Sequence, residues 1–427
     1  MNCPEGQWHQ YPRASAGHGF IDTMIIELHG AGFQNKGAEL MLRATLSELR
    51  RRLSSFQAAI DPGYGPYLWR CELGLNQIVP LRSHVGSKGF YYRFQAQKLF
   101  ALFQGERIVG KLLGTDLCRL GCVSLSRIDA LVDIAGFAYT EEWGARPTQH
   151  LAMLTSYYRR RGCPVILLPQ ALGPFRSQEI RLAFRKVLAN STLVFARDEE
   201  SYGYVNELSP DPSKVRIAPD ITLFYPPETD SGVASPRENA YACVVPNSRL
   251  LDQGRERWGD KYRQLLLLIT KELLRSGLQV KVAIHDASPG DLALGHYLCE
   301  RSSSSAVALI QEVDPFKLKQ VISGSTMVVG SRYHSLVAAF SRRVPAVCLG
   351  WAHKYEALFR DFGCQEYIIS PQDQEESVLD RIRKLADPEI NSSCRDRIGH
   401  YLQRMREPYQ RMWSLVIDIL NRPAGAG

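Results

Sequence analysis

A chain of 427 residues with 45% hydrophobic and 22% charged residues is globular in composition and too long for one ordinary core, so two domains of about 150–200 residues are expected. Its net charge of +8, from 52 Lys and Arg against 44 Asp and Glu, favours an anionic partner. Nucleic acid is disfavoured as that partner, because the chain has no zinc-finger spacing, RNA-binding aromatic signature or long Lys/Arg tract.

Residues 1–23 are polar and lack the apolar segment of a signal peptide, which marks a loose leader. No run approaches the ~18 apolar residues that span a bilayer. The ten cysteines are scattered and never form CxxC, as expected for reduced thiols in a cytoplasmic protein. No fixed-period repeat points to a solenoid or propeller.

From Met24 short apolar runs alternate with longer amphipathic ones. MIIELHG (24–30) reads as a buried strand, and 36–53 as a helix with Leu40, Leu42, Leu46, Leu49 and Leu53 inward. ALVDIAG (130–136), PVILLPQ (164–170) and TLVFARD (192–198) read as further strands. Continuous apolar runs of this kind fit strands covered on both faces, hence a parallel sheet. Residues 226–240 lie in a Pro/Gly/Ser-rich stretch that reads as a linker. A second series follows, with YACVVPN (241–247), VKVAIH (280–285), AVALI (306–310), MVVGS (327–331), PAVCLG (345–350) and YIIS (367–370) as strands separated by helical patterns. Residues 393–421 carry a long helical pattern expected to pack back across the domains. The fold class is therefore α/β, with two doubly wound domains at 24–225 and 241–390, followed by a C-terminal helix within 391–427.

Residues 86–128 interrupt this rhythm. They interleave Phe, Tyr and Leu with Lys88, Arg93, Lys98, Arg107, Lys111, Arg119 and Arg127. The pattern fits an amphipathic insertion packed on the sheet, or a peripheral contact with anionic membrane at the inner face.

In open α/β sheets, ligands bind beyond the carboxyl ends of the strands, where helix N-termini present free N–H groups. Asn35 and Lys36, Gln170, Arg197, Asp220, Asn247, Ser331, Arg332 and His334, and His353 and Lys354 all fall at such ends. One such residue reads as a helix cap or a surface charge; this many in register read as a site. HGAGFQNKG has neither the GxGxxG spacing nor the GK[ST] of a P-loop, and Ser331 is not in a GxSxG elbow. No HExxH or clustered acid motif suggests a metal.

GSRYHSLVAAFSRRVPAVCLGWAHKYEALFRDFG (330–363) resembles the C-terminal signature of the polysaccharide pyruvyl transferase family. FQNKGAELML (33–42), DIAGFAYTEEWG (133–144), LLPQALGPF (167–175), ARDEES (196–201), APDITLF (218–224) and VPNSRLLD (245–252) match in the family's order. The resemblance implies two Rossmann-like domains facing a cleft, as in GT-B glycosyltransferases, with the acceptor on the N-terminal side and the donor on the C-terminal side. It implies phosphoenolpyruvate as donor substrate, no further cofactor, and a saccharide acceptor, free or lipid-linked, belonging to a surface polysaccharide.

On that basis Arg332 and Arg197 are expected to clamp the donor's carboxylate and phosphate. His334 is expected either to act as the acid or to hold phosphate. Gln170 would orient the donor. Asn35, Lys36 and Asp220 would face the acceptor or shape the cleft, while Asn247 and Ser331 join the substrate site and His353 and Lys354 add positive field. A nucleotide-sugar glycosyltransferase or sugar epimerase on the same architecture is the rival enzyme, and a catalytically inactive scaffold the non-enzyme rival.

Overall fold

The computed structural model describes residues 23–79, 121–226, 240–251, 258–350 and 352–422. Strands β1 (Ile25–His29), β2 (Gln57–Ile60), β3 (Leu75–Val79), β4 (Cys122–Ser124), β5 (Ala130–Asp133), β6 (Val165–Gln170), β7 (Leu193–Ala196) and β8 (Val215–Ile217) form one sheet. Their order is β4-β3-β2-β1-β5-β6-β7-β8, and every neighbouring pair is parallel. Strands β9 (Tyr241–Val245), β10 (Gln279–Ala283), β11 (Val307–Ile310), β12 (Met327–Gly330), β13 (Ala346–Leu349) and β14 (Ile368–Ile369) form a second parallel sheet, ordered β11-β10-β9-β12-β13-β14. Helices flank both sheets, and the architecture is the two-domain α/β fold expected of the sequence.

The central strands are buried on both faces because they are apolar throughout: IIELH apart from Glu27 and His29, then LVFA, MVVG and AVCL. In each sheet the strand order reverses once, between β1 and β5 and between β9 and β12. A crevice opens at the carboxyl ends of such a pair because the flanking connections leave in opposite directions. The β1/β5 reversal is tight. Gly30 sits at φ +77°, and an added Cβ would lie 2.6 Å from Cβ of Ala135, so only glycine fits.

Loops from the strand ends of the two sheets meet. The amide of Lys36, after β1, donates to the carbonyl of His285, after β10 (3.1 Å), and Asn35 bridges Asp286 in an isolated antiparallel pair. The helix Pro388–Leu420 ties the domains together from behind. Cys394, Ile398 and Leu402 pack into the core around the second sheet, whereas Tyr409, Met412, Trp413, Val416 and Leu420 pack into a core of the first. Pro408 lies between the two sets.

Four strands were not anticipated. β2 (QAAI), β3 (LNQIV), β4 (CVS) and β8 (VRI) are short, lie on the flanks of the first sheet and mix polar with apolar residues. Partly exposed strands of this length lack a continuous apolar run. The expected C-terminal helix begins earlier than residue 393, at Pro388, with Asp387 as its cap. The leader (1–22), most of the 86–128 insertion and nearly all of the 226–240 linker lie outside the described residues. No helix among the described residues is long and apolar enough to cross a membrane.

Candidate active site

The loops beyond β1, β5, β7, β9, β10, β12 and β13 enclose a cleft of about 170 Å³ between the domains. Arg197, Arg249, Arg332 and Lys354 line it together with His285 and His334, and among the described residues no Asp or Glu does. Two helices present their first turns here, Tyr333–Phe340 and His353–Asp361, and neither has a side-chain cap. The positive ends of their helix dipoles add to the potential there.

Arg197 leaves the end of β7 and is almost fully buried. Its Nη1 donates to Oδ2 of Asp220 (2.9 Å), and its guanidinium stacks 3.9 Å from the ring centroid of Tyr333 in the other domain. Its Nε and Nη2 are buried without a hydrogen-bond partner. Asp220 also accepts from the amide and hydroxyl of Thr222 and faces Nε2 of His334 at 3.5 Å. Burial alone would raise the Asp220 carboxyl, but His334, Arg197 and the Thr222 hydrogen bond together hold it well below the usual carboxylate range. Asp220 is therefore an ionised carboxylate that orients Arg197 and His334 across the domain boundary.

Arg332 differs. Its Nε and Nη2 both engage Oδ2 of Asp291, at 3.0 and 2.5 Å, and its Nη1 pairs with Asp286 at 3.1 Å. Asp291 is held in turn by the amide and hydroxyl of Ser248. The expected bidentate clamp is thus corrected: the fork of Arg332 is already occupied, and the residue contributes a braced charge. Asp286 and Asp291, like His285, were not picked out in the sequence. His285 ends the quoted VKVAIH run, where the strand-end rule applies; the two aspartates come near Arg332 only through folding. Burial drives the His285 imidazole well below its ordinary pKa, and the charges of His334, Arg332 and Lys36 push the same way.

The remaining candidates divide. Asn35 lines the cleft and caps the helix Lys36–Arg52, accepting from the amide of Gly37 at 2.9 Å. Asn247 lines it too, donating to the Ser331 carbonyl. Lys354 lines it with its ammonium 3.4 Å from the Phe137 centroid. Lys36 turns away to Glu39 (3.1 Å). Gln170 is wholly buried and donates to Asp133, so it braces the floor of the first domain instead of facing a donor. Ser331 is likewise buried, its hydroxyl accepting from Tyr262 at 2.8 Å, which is a packing role. His353 stands beside Phe137 and Tyr204, outside the cleft lining. Trp143 and Arg249, stacked at 4.6 Å across the mouth, join the lining from opposite domains. Among the described residues no group of three His, Cys, Asp or Glu side chains is arranged to hold a metal.

This geometry gives two expected outcomes. A Cβ on Gly37 would lie 2.3 Å from Nδ1 of His334. Gly37→Ala therefore displaces the imidazole while suiting the helix, where Ala is favoured by up to about 1 kcal/mol. Loss of turnover in a folded variant is expected; unaltered turnover would show that the position of His334 is immaterial. The second concerns Asp220, whose folded-state pKa is depressed. Its stabilising contribution is fully present above the unfolded value of about 3.9 and disappears as pH falls below it. Urea denaturation should show Asp220→Asn to be less stable than the parent at pH 7, with the gap narrowing in acid. A gap that widens in acid would contradict the assignment.

The fold recurs among solved structures. The chain is similar to Alr3699/HepE from Anabaena in complex with UDP and glucose, at 11% identity and TM-score 0.53, covering 92% of this chain and 99% of that one. It is also similar to the Neisseria meningitidis UDP-GlcNAc 2-epimerase bound to UDP-GlcNAc, at 12% identity and TM-score 0.55, with 93% and 99% covered. S. aureus MnaA with UDP aligns at 13% identity and TM-score 0.54, over 95% and 100%. At these identities the likeness concerns the fold, which is GT-B-like. Residues 35–353 match the family described as polysaccharide pyruvyl transferase, a span that runs from the helix cap after β1 to the first turn after β13 and takes in every cleft-lining residue but Lys354 and Tyr355. The chain belongs to the polysaccharide pyruvyl transferase family.

Proposed function

We propose that the protein transfers the carboxyethylidene unit of phosphoenolpyruvate to two hydroxyls of a saccharide, free or lipid-linked, giving a pyruvate ketal and inorganic phosphate. The observation that carries this reading is the cleft lining: among the described residues it holds four cationic side chains, two histidines and no acid, with the Arg197 Nε and Nη2 donors buried and unpartnered. Buried donors without partners are rare in folded proteins, and here they suit a carboxylate or phosphate oxygen. Size argues the same way. A volume of about 170 Å³ falls short of the roughly 300–1,000 Å³ typical of pockets for drug-sized ligands, and suits a small dianion better than a nucleotide sugar.

The chemistry balances without a redox partner. A proton added to the methylene carbon makes the adjacent carbon electrophilic, and a first sugar hydroxyl adds there and loses its proton. The carbon–oxygen bond to phosphate then breaks, and the bridging oxygen leaves with the phosphate. The second hydroxyl adds to the same carbon and closes the ketal; of the two hydroxyl protons, one balances that on the new methyl group and the other leaves with phosphate. Arg197 holds the anion, Arg332 and Lys354 stabilise its charge, and His334, set by Asp220, delivers the proton.

Incubation with phosphoenolpyruvate and a panel of free and lipid-linked saccharides, followed by phosphate release and product mass, tests this. A saccharide bearing a pyruvate ketal is expected. Nucleoside diphosphate release from UDP-sugars, with none of phosphate from phosphoenolpyruvate, would support the nucleotide-sugar reading that the neighbours' ligands suggest.

A further inference from the structure

A cavity of about 390 Å³, more than twice the volume of the cleft, lies at the domain boundary outside the site described above. The helix Lys36–Arg52, the segment leading out of the first domain, two helical stretches of the second and the helix Pro388–Leu420 all contribute to its walls. Its charged lining is Arg51, Lys319, Arg342 and Arg406 against Glu48, and Glu48 is already met by Arg51 (2.6 Å) and Arg52 (2.8 Å). Among the described residues the lining therefore carries more basic than acidic side chains. Phe224, Tyr225 and Tyr409 supply an aromatic wall.

Lys319 is the anomaly. It is 4% exposed, and its ammonium donates to the carbonyls of Thr222 (2.7 Å) and Tyr225, with no carboxylate in ion-pair range among the described residues. Burial pushes its pKa down to about 7, opposed by Asp220 and reinforced by Arg342. Arg342 is only half-buried, and its guanidinium likewise pairs with no carboxylate among the described residues. A buried ammonium whose direct partners are carbonyl oxygens is costly to keep charged, and an anion in the cavity would relieve that cost.

We infer that this cavity is a second anion site, taking a small phosphate- or diphosphate-bearing molecule whose charge meets Lys319 and Arg342 and whose remainder lies against Phe224, Tyr225 and Tyr409. The site is wired to the cleft through a single residue. Lys319 holds the carbonyl of Thr222, while the amide and hydroxyl of Thr222 hold Oδ1 of Asp220 (2.9 and 2.6 Å). Occupancy of the cavity and the setting of Asp220 are thereby linked.

Calorimetric titration of the full chain with inorganic pyrophosphate tests the assignment. Arg342→Ala should weaken the binding event at this cavity by about tenfold or more, the cost of one charge-assisted contact. Arg197→Lys, in the cleft, should leave that event unchanged. Above pH 7 the event should take up protons, measurable by repeating the titration in buffers of different ionisation enthalpy, because an anion beside Lys319 recharges it in the company of Arg342, Arg51, Arg406, Glu48 and Asp220. Lys319→Met should abolish the uptake. Arg342→Ala binding pyrophosphate as the parent does, or all binding being lost in Arg197→Lys alone, would overturn the inference.

Discussion

Turnover of a His334→Gln variant is expected to fall roughly 100- to 10,000-fold, with affinity for phosphoenolpyruvate little changed. Glutamine keeps hydrogen bonding and approximate size but carries no proton at neutral pH. His334 follows β12 in the first turn of a helix with no side-chain cap, its Nε2 faces the ionised Asp220, and its Nδ1 edge packs against Gly37 of the other domain. Both domains must be in place for the ring to be set. If His334 instead only holds phosphate, affinity falls and turnover survives in part. A folded variant unchanged in both would show that the reaction takes place elsewhere.

Arg197→Lys should weaken donor binding by about 1.5–3 kcal/mol, or roughly 10- to 150-fold. Lysine can keep the ion pair with Asp220, so the fold is retained, but it loses the planar fork whose Nε and Nη2 are unpartnered. Arg332→Lys is the informative contrast. Because Asp291 and Asp286 already occupy that fork, the change should lower the melting temperature more than the donor affinity. Isothermal titration and thermal denaturation of the two variants side by side separate the roles. Equal losses of donor affinity in both would mean that the two arginines share the clamp after all.

Much of the fold could be read along the chain because buried parallel strands advertise themselves as unbroken apolar runs. MVVG, AVCL and LVFA did so, whereas VRI and CVS at the sheet edges did not. Strand-end polarity likewise pointed to Arg197, Asp220, Asn247, Arg332, His334 and Lys354. What local sequence does not reveal is which of these groups is already spoken for. Arg332 and Arg197 look equivalent in the sequence, and only packing brings Asp291, 41 residues away, onto one of them. Gln170 looked equally available until its side chain was found turned onto Asp133. Trp143 and Arg249 meet only because two domains face each other.

The proposed reaction transfers the three-carbon unit of phosphoenolpyruvate and not its phosphoryl group. The most direct measurement uses phosphoenolpyruvate carrying heavy oxygen at the bridge between carbon and phosphorus, with an acceptor saccharide, and mass analysis of the products. Pyruvyl transfer cleaves the carbon–oxygen bond, so the label should appear in the released phosphate and be absent from the pyruvate ketal. Label retained with the three-carbon unit would mean cleavage at phosphorus, and would contradict the account.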